Sequence, residues 1–216
     1  MISDITRSQL ETLSFSGRPL VICDVDEVVV HFTRDFEDYI AVENLRLDPA
    51  SFALSGNIRR RDTGAAAPDS QVADLVSGFF ADRTRHMQPI EGAVDALLDI
   101  GNTADIVLLT NLPHGSGDHR RQNLADHGLP FPVVTNSGPK GPAIRDLVSR
   151  AGQPATVFID DSPSFMASSY EHAPDVHLIH FLHDDRFARH IEPIDYVSLR
   201  TGCWTEARTH ILRLIS

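Results

Sequence analysis

Apolar residues fall in short blocks along this chain, and the blocks alternate between two periods. Leu20-Val21-Ile22-Cys23 is a continuous apolar run of strand length that ends at Asp24-Val25-Asp26. Ala104 to Leu109, Val133 to Thr135, Ala155 to Ile159 and Val176 to Phe181 have the same form. Runs this short, rich in β-branched residues and bounded by turn formers, predict buried strands. Between them apolar residues recur at spacings of three and four, as in Ile90, Ala93, Val94 and Leu97, then Ile144, Leu147, Val148 and Ala151, then Trp204, Ala207, Ile211 and Leu214. That period predicts helices. Further helices are expected over Ser3 to Leu13 and Gly115 to His127, and Asp195 to Leu199 reads as the last strand. Strands alternating with helices imply βαβ units, hence an α/β Rossmann-like three-layer sandwich around a mostly parallel sheet.

The regular alternation lapses between residues 31 and 89. Phe36, Ile40 and Leu47 suggest an amphipathic helix within Arg34 to Leu47, and Val72, Leu75, Val76, Phe79 and Phe80 predict a second. From Asp48 to Asp69, with Arg59-Arg60-Arg61 and Gly64-Ala65-Ala66-Ala67-Pro68, the pattern fails and an exposed loop is expected. Residues 1–30 and 90–216 therefore read as the α/β core, and 31–89 as an insertion of mostly helical character.

Composition narrows the function. A formal charge of −11 argues against a nucleic-acid partner, which requires a basic face. The 42% hydrophobic and 23% charged residues are those of an ordinary globular chain. No run approaches the roughly 18 apolar residues of a membrane span, and Met1 to Ser16 lacks the apolar core of a signal peptide. Cys23 and Cys203 are far apart and form neither a disulfide framework nor a zinc pattern. A reducing, cytoplasmic location is the expectation.

The candidate chemistry lies at the predicted strand ends and one helix start. Asp24 and Asp26 follow the first strand, Thr110-Asn111 ends the second, Lys140 opens a helix, and Asp160-Asp161 ends another strand. In a parallel sheet, carboxyl ends of several strands converge on one crevice. There these residues supply a carboxylate nucleophile, an acid/base, phosphate-binding groups and acids for a hard cation. Magnesium takes carboxylate oxygens, waters and substrate phosphate in such a setting. Phosphoryl transfer needs positioning, charge neutralisation and an in-line nucleophile.

This ordered set resembles the haloacid dehalogenase (HAD) superfamily of phosphohydrolases. Val21-Ile22-Cys23-Asp24-Val25-Asp26 looks like its first motif, Leu108-Leu109-Thr110-Asn111 its second, Lys140 its third, and Val157-Phe158-Ile159-Asp160-Asp161-Ser162-Pro163 its fourth. The resemblance implies Asp24 as nucleophile, forming an aspartyl-phosphate, and Asp26 as the acid and then the base. It further implies Thr110, Asn111 and Lys140 around the phosphoryl group. Mg²⁺ would be held by Asp24, the Asp26 carbonyl and the Asp160/Asp161 pair, with Asp161 favoured as the direct ligand. An acid at 26 favours attack on phosphorus over attack on carbon, because an alkoxide leaving group needs a proton. Glu27 departs from the common glycine at its position and resembles the form in carboxy-terminal-domain phosphatases. The insertion falls where many relatives carry a helical cap, which implies a small phosphorylated metabolite as substrate.

Other readings stand beside this one. Nucleotidases of the superfamily carry a cap at the same place, so (deoxy)nucleoside monophosphates stay open, as do transfer to an acceptor other than water and a fold member that only binds. A receiver domain would place its acidic pair and phosphoacceptor before the Thr and Lys, without a second pair after them. No GxxxxGK[ST] motif is present. His114, Arg59 and Arg60 are candidates for substrate contact. His119, Arg120 and Arg121 read as the polar face of a helix, and Phe79, Phe80 and Trp204 as packing residues.

Overall fold

The computed structural model describes residues 2–216. Ser3 caps α1 (Asp4–Glu11) by accepting from Thr6 N at 3.1 Å, and the chain then enters β1 (Leu20–Cys23). All four residues of β1 are buried: Leu20 and Ile22 pack on one face of the sheet, Val21 and Cys23 on the other. A strand buried on both faces needs no polar alternation, which is why its run is continuous.

The next segment leaves the sheet layer. It forms α2 (Phe32–Ala41), β2 (Leu45–Leu47), β3 (Ile58–Arg60) and α3 (Asp69–Arg83), with a short 3₁₀ turn at Thr84–His86. This is less helical than its sequence suggested. Asn44, at φ 57°, stops the helical path after α2. Leu45 and Leu47, expected at the end of that helix, instead bury alternately in an antiparallel pair with Ile58 to Arg60, which lies in the stretch expected to be a loop. Phe32, Phe36, Phe79, Phe80 and Tyr39 form one aromatic cluster with ring centroids 5.3–5.6 Å apart, holding α2 on α3. Outgoing and returning chains run side by side, with His31 N donating to Gln88 O at 3.0 Å and Ile90 N to Val29 O at 2.8 Å.

The α/β alternation then resumes: α4 (Ala93–Gly101), β4 (Asp105–Thr110), α5 (Gly117–Asp126), β5 (Val133–Thr135), α6 (Gly141–Arg150), β6 (Thr156–Asp160), α7 (Pro163–His172), β7 (His177–Phe181), α8 (Asp185–Ala188), β8 (Leu199–Thr201) and α9 (Trp204–Leu214). Six strands make a parallel sheet in the order β5-β4-β1-β6-β7-β8. Helices α1, α6 and α7 cover one face, and α4, α5 and α9 the other. The last strand lies later than expected, because Ile194 and Val197 are spent on a turn that packs sideways against the α1–α6–α7 layer. Strand β1 is central, and the strand order reverses around it, the place where such sheets open a crevice.

One close approach sets the geometry of that crevice. Gly141 begins α6 directly against α7, its N donating to Ser168 Oγ at 3.1 Å, and a Cβ at 141 would collide with the Ser168 carbonyl. Only glycine lets the two helices meet there. Gly141→Ala is therefore expected to lower the unfolding free energy by about 1–3 kcal/mol through overpacking. Gly115→Ala, where a Cβ meets open space, is the control. Urea denaturation of the two variants checks this, and equal midpoints for both would remove the constraint.

Candidate active site

Asp24 leaves β1 with its amide donating to Ile159 O at 2.9 Å, which keeps it beside the end of β6. Lys140, the residue before α6, is fully buried, and its Nζ lies 2.6 Å from Asp24 Oδ1 and 2.6 Å from Asp160 Oδ2. The Phe165 ring covers the ammonium, its centroid 4.8 Å away. Burial by itself would lower the Lys140 pKa, but the charges of Asp160 and Asp24 carry it above the usual lysine value. Lys140 therefore stays a cation.

Asp160 spends both oxygens on the protein, Oδ2 on Lys140 and Oδ1 on Ser162 N at 2.8 Å. Its neighbour Asp161 is held through the backbone, where His180 Nε2 lies 2.9 Å from the Asp161 carbonyl oxygen. Asp24, Asp160 and Asp161 each offer a carboxylate oxygen within 4.8 Å of the others. Three carboxylates around one ammonium leave a formal charge of −2. Burial raises Asp24 to about 7, with Lys140 opposing and Asp160 and Asp26 adding to the shift. Burial likewise pushes Asp161 well above its usual value, followed by the charges of Asp160, Asp24 and Glu27. The cluster is short of positive charge. Its all-oxygen donor set suits a hard divalent cation. Asp24 and Asp161 have the carboxylate oxygens to spare for it, and Asp160 does not.

Asp26 is separated from this cluster although it lies only two residues from Asp24. Its Oδ2 accepts from Thr110 Oγ1 at 2.9 Å, and its Oδ1 from Arg120 Nη2. Arg120 is fully buried, so the expectation that it lies on the polar face of a helix is overturned. The inner face of α5 consists of Gly117, Arg120, Asn123 and Leu124, a helical spacing with little apolar content. Arg120 also contacts Asn123 Oδ1 at 3.2 Å and Met87 Sδ at 3.3 Å, and Asn123 donates to Met87 O at 2.8 Å. One network thus joins Asp26 to the chain returning at residues 87–89. The sequence signal that would have found Arg120 is the helical face that runs through Leu124 and Gly117.

Glu27 adopts φ 63°, a left-handed conformation that a non-glycine residue adopts only when other contacts hold it there. Its carboxylate accepts from Thr33 N at 2.6 Å, capping the exposed start of α2. Burial raises its pKa, with the Thr33 amide opposing.

Four expected site residues are otherwise occupied. Asn111 donates to Gly138 O at 2.8 Å and accepts from Asn136, bracing the loop before Lys140. His114 is tied to Thr135 Oγ1 at 2.6 Å and Ser3 Oγ at 3.3 Å, which fastens α1 to β5. Arg59 lies by Asp48 at 3.8 Å and Gly64 O at 3.2 Å, and Arg60 pairs with Asp62 at 2.7 Å, all within the β2–β3 hairpin region. The hairpin turns both arginines onto its own acids and carbonyls, away from the carboxylate cluster.

Solved structures match this architecture along nearly all of its length. A HAD-family hydrolase from Deinococcus radiodurans with bound phosphate and sodium aligns at 18% identity and a TM-score of 0.58, covering 90% of this chain and 95% of that one. A protein classed as a HAD hydrolase from Bacillus subtilis, bound to magnesium, aligns at 16% identity and a TM-score of 0.62, covering 90% and 98%. The chain has the HAD-like fold. A HAD-like hydrolase from Xanthomonas campestris adds a third match, at 15% identity, a TM-score of 0.55 and 92% coverage of both chains. No protein-family model and no curated protein matches by sequence. Among the described residues, no helix of this HAD-like chain is long and apolar enough to cross a membrane.

The Arg120–Asp26 pair makes a direct prediction. Arg120→Leu strands a carboxylate that is only 16% exposed, and loss of one partner of a buried pair costs about 3 kcal/mol. Asp26→Asn added to Arg120→Leu should recover part of that loss in a double-mutant cycle read by urea unfolding. Strictly additive losses would show that the two side chains are not coupled.

Proposed function

We propose that this protein is a Mg²⁺-dependent phosphatase acting on a small phosphorylated metabolite through an aspartyl-phosphate at Asp24. The observation that carries this reading is Lys140, a buried ammonium bridging Asp24 and Asp160 at 2.6 Å each, within an acidic cluster whose charge it only partly offsets. The Deinococcus structure with phosphate and the Bacillus structure with magnesium lend support from the same fold.

In this reading Asp24 Oδ2, the oxygen not committed to Lys140, attacks phosphorus in line and the ester oxygen departs. Lys140 offsets charge on the phosphoryl oxygens and keeps Asp24 ionised as a nucleophile. Thr110, now donating to Asp26, turns its hydroxyl to a phosphoryl oxygen. Asp26, released from Thr110 and Arg120 and protonated from solvent, gives that proton to the leaving oxygen and then takes one from the water that cleaves the intermediate. A divalent cation held by Asp24, the Asp26 carbonyl and Asp161 supplies Lewis-acid charge neutralisation when bound. Residues 31–89 act as a cap that excludes water, and the magnesium-bound Bacillus protein, whose structure is described as revealing interdomain movement, supports a mobile one.

Two measurements test the proposal. Phosphate release from acetyl phosphate and p-nitrophenyl phosphate should require Mg²⁺, stop with EDTA, and fall by at least about 10³-fold in Asp24→Asn. Activity retained by that variant would remove Asp24 as nucleophile. Mg²⁺ at about 100 times its Kd should raise the Tm by about 5–10 °C, from roughly 2.7 kcal/mol of linkage. Asp161→Asn should raise the Tm of the metal-free protein by relieving repulsion, and abolish the Mg²⁺ increment. An undiminished increment would exclude Asp161 as a ligand.

A further inference from the structure

Beside the carboxylate cluster lies a cavity of about 180 Å³ between the core and the 31–89 segment. Phe32, Phe52 and Leu54 wall it from the segment, Leu182 from the loop after β7 and Phe187 from α8. Phe52 and Phe187 meet edge to face, with centroids 6.0 Å apart. Asp161 borders the cavity, so it opens directly from the cluster where a phosphoryl group would sit.

Its charges are one-sided. The polar lining consists of Glu27, Asp161 and Asp184 with Thr33 and His183, and no Arg or Lys lines it among the described residues. The nearby cation, Arg186, is consumed by two 2.8 Å hydrogen bonds to Glu37 and by Asp184 at 2.7 Å. Lys140 and Arg120 are committed to Asp24, Asp160 and Asp26. Asp184 is already neutralised by Arg186, but Glu27 has no cation partner among the described residues, so a second anionic group on a substrate would face it in a like-charge contact that complexes avoid.

Volume points the same way. An apolar cavity of roughly 150 Å³ takes one benzene ring, so this one holds a single ring and not a nucleoside. Building on the phosphatase reading above, we infer that the substrate is a phosphomonoester whose leaving group is one apolar ring without a second negative charge. Phe52, Leu54 and Phe187 select the ring, and Glu27 rejects carboxylates and second phosphates. Sugar bisphosphates, phosphorylated carboxylic acids and nucleotides fall outside this class.

The test compares kcat/KM for phenyl phosphate, phosphoglycolate, fructose 1,6-bisphosphate and adenosine monophosphate, with acetyl phosphate as the acyl phosphate that needs no ring pocket. Phenyl phosphate should exceed each of the other three by at least about tenfold, the discrimination one apolar pocket supplies. Leu54→Arg, at a half-buried position, should shrink the ratio of phenyl phosphate to phosphoglycolate at least about tenfold by adding the missing cation. Turnover of acetyl phosphate without the ring preference, or with phosphoglycolate preferred, would overturn the inference while the phosphatase reading stands. No turnover of any of these compounds would overturn that reading and this inference with it. Calorimetry on the Asp24→Asn protein with Mg²⁺ reads the cavity apart from chemistry: phenyl phosphate should bind more tightly than phosphoglycolate, and the reverse order overturns the inference.

Discussion

The Lys140 ammonium is the charge around which the crevice is assembled. Asp24 and Asp160 come from adjacent strands and are both buried, and without a cation between them neither would stay ionised. The demand propagates outward. Lys140 reaches the pair only because α6 begins immediately after it, and α6 begins there only because Gly141 allows contact with α7. Phe165, from that same α7, closes over the ammonium. A single buried charge thereby links two strand ends and two helices into one rigid corner.

Asp24 and Asp26 illustrate how the fold separates two like charges. They are two residues apart, yet each has its own cation from a different part of the chain, Lys140 for one and Arg120 for the other. The left-handed turn at Glu27 and the close run of Val28, Val29 and Val30 amides around the Val25 carbonyl bend the chain between the sheet and α2. The Trp204 indole donates to Val28 O at 2.8 Å and pins this bend to α9. Arg120 adds a mechanical link, since it touches Met87 while Asn123 holds the Met87 carbonyl. Asp26 and the segment over the crevice are therefore held by a common set of contacts.

Polar links join that segment to the core at several points, among them Thr33 with Glu27, Met87 with Asn123 and His127, and Arg85 with Asp126. Arg186 pairs with Glu37, and His190 Nε2 lies 3.1 Å from Pro49 O. Between these links lies the apolar cavity. An interface of this kind is loosely held where it is empty, and an apolar occupant would contribute contacts to both sides. Specificity and closure would then come from the same side chains.

Residue pattern alone determined the α/β class, the order of most elements and the three strand ends and one helix start that carry Asp24, Asp26, Thr110, Lys140, Asp160 and Asp161. Local physics suffices for these: strand and helix periods are short-range, and a parallel sheet brings its carboxyl ends together whatever lies between. Tertiary structure alone decided which polar side chains are spent on the scaffold. Arg120 and Arg121 are neighbours on one polar helix; the first is buried against Asp26, while the second pairs with Asp118 at the surface at 2.6 Å. His114 and Asn111 stand near the predicted site in sequence, yet partners more than twenty residues away claim them. Leu45 and Leu47 form a strand because β3 is there to pair with them. A charge, an amide or a short apolar pair takes its role from its partner, and partners are chosen by the folded chain.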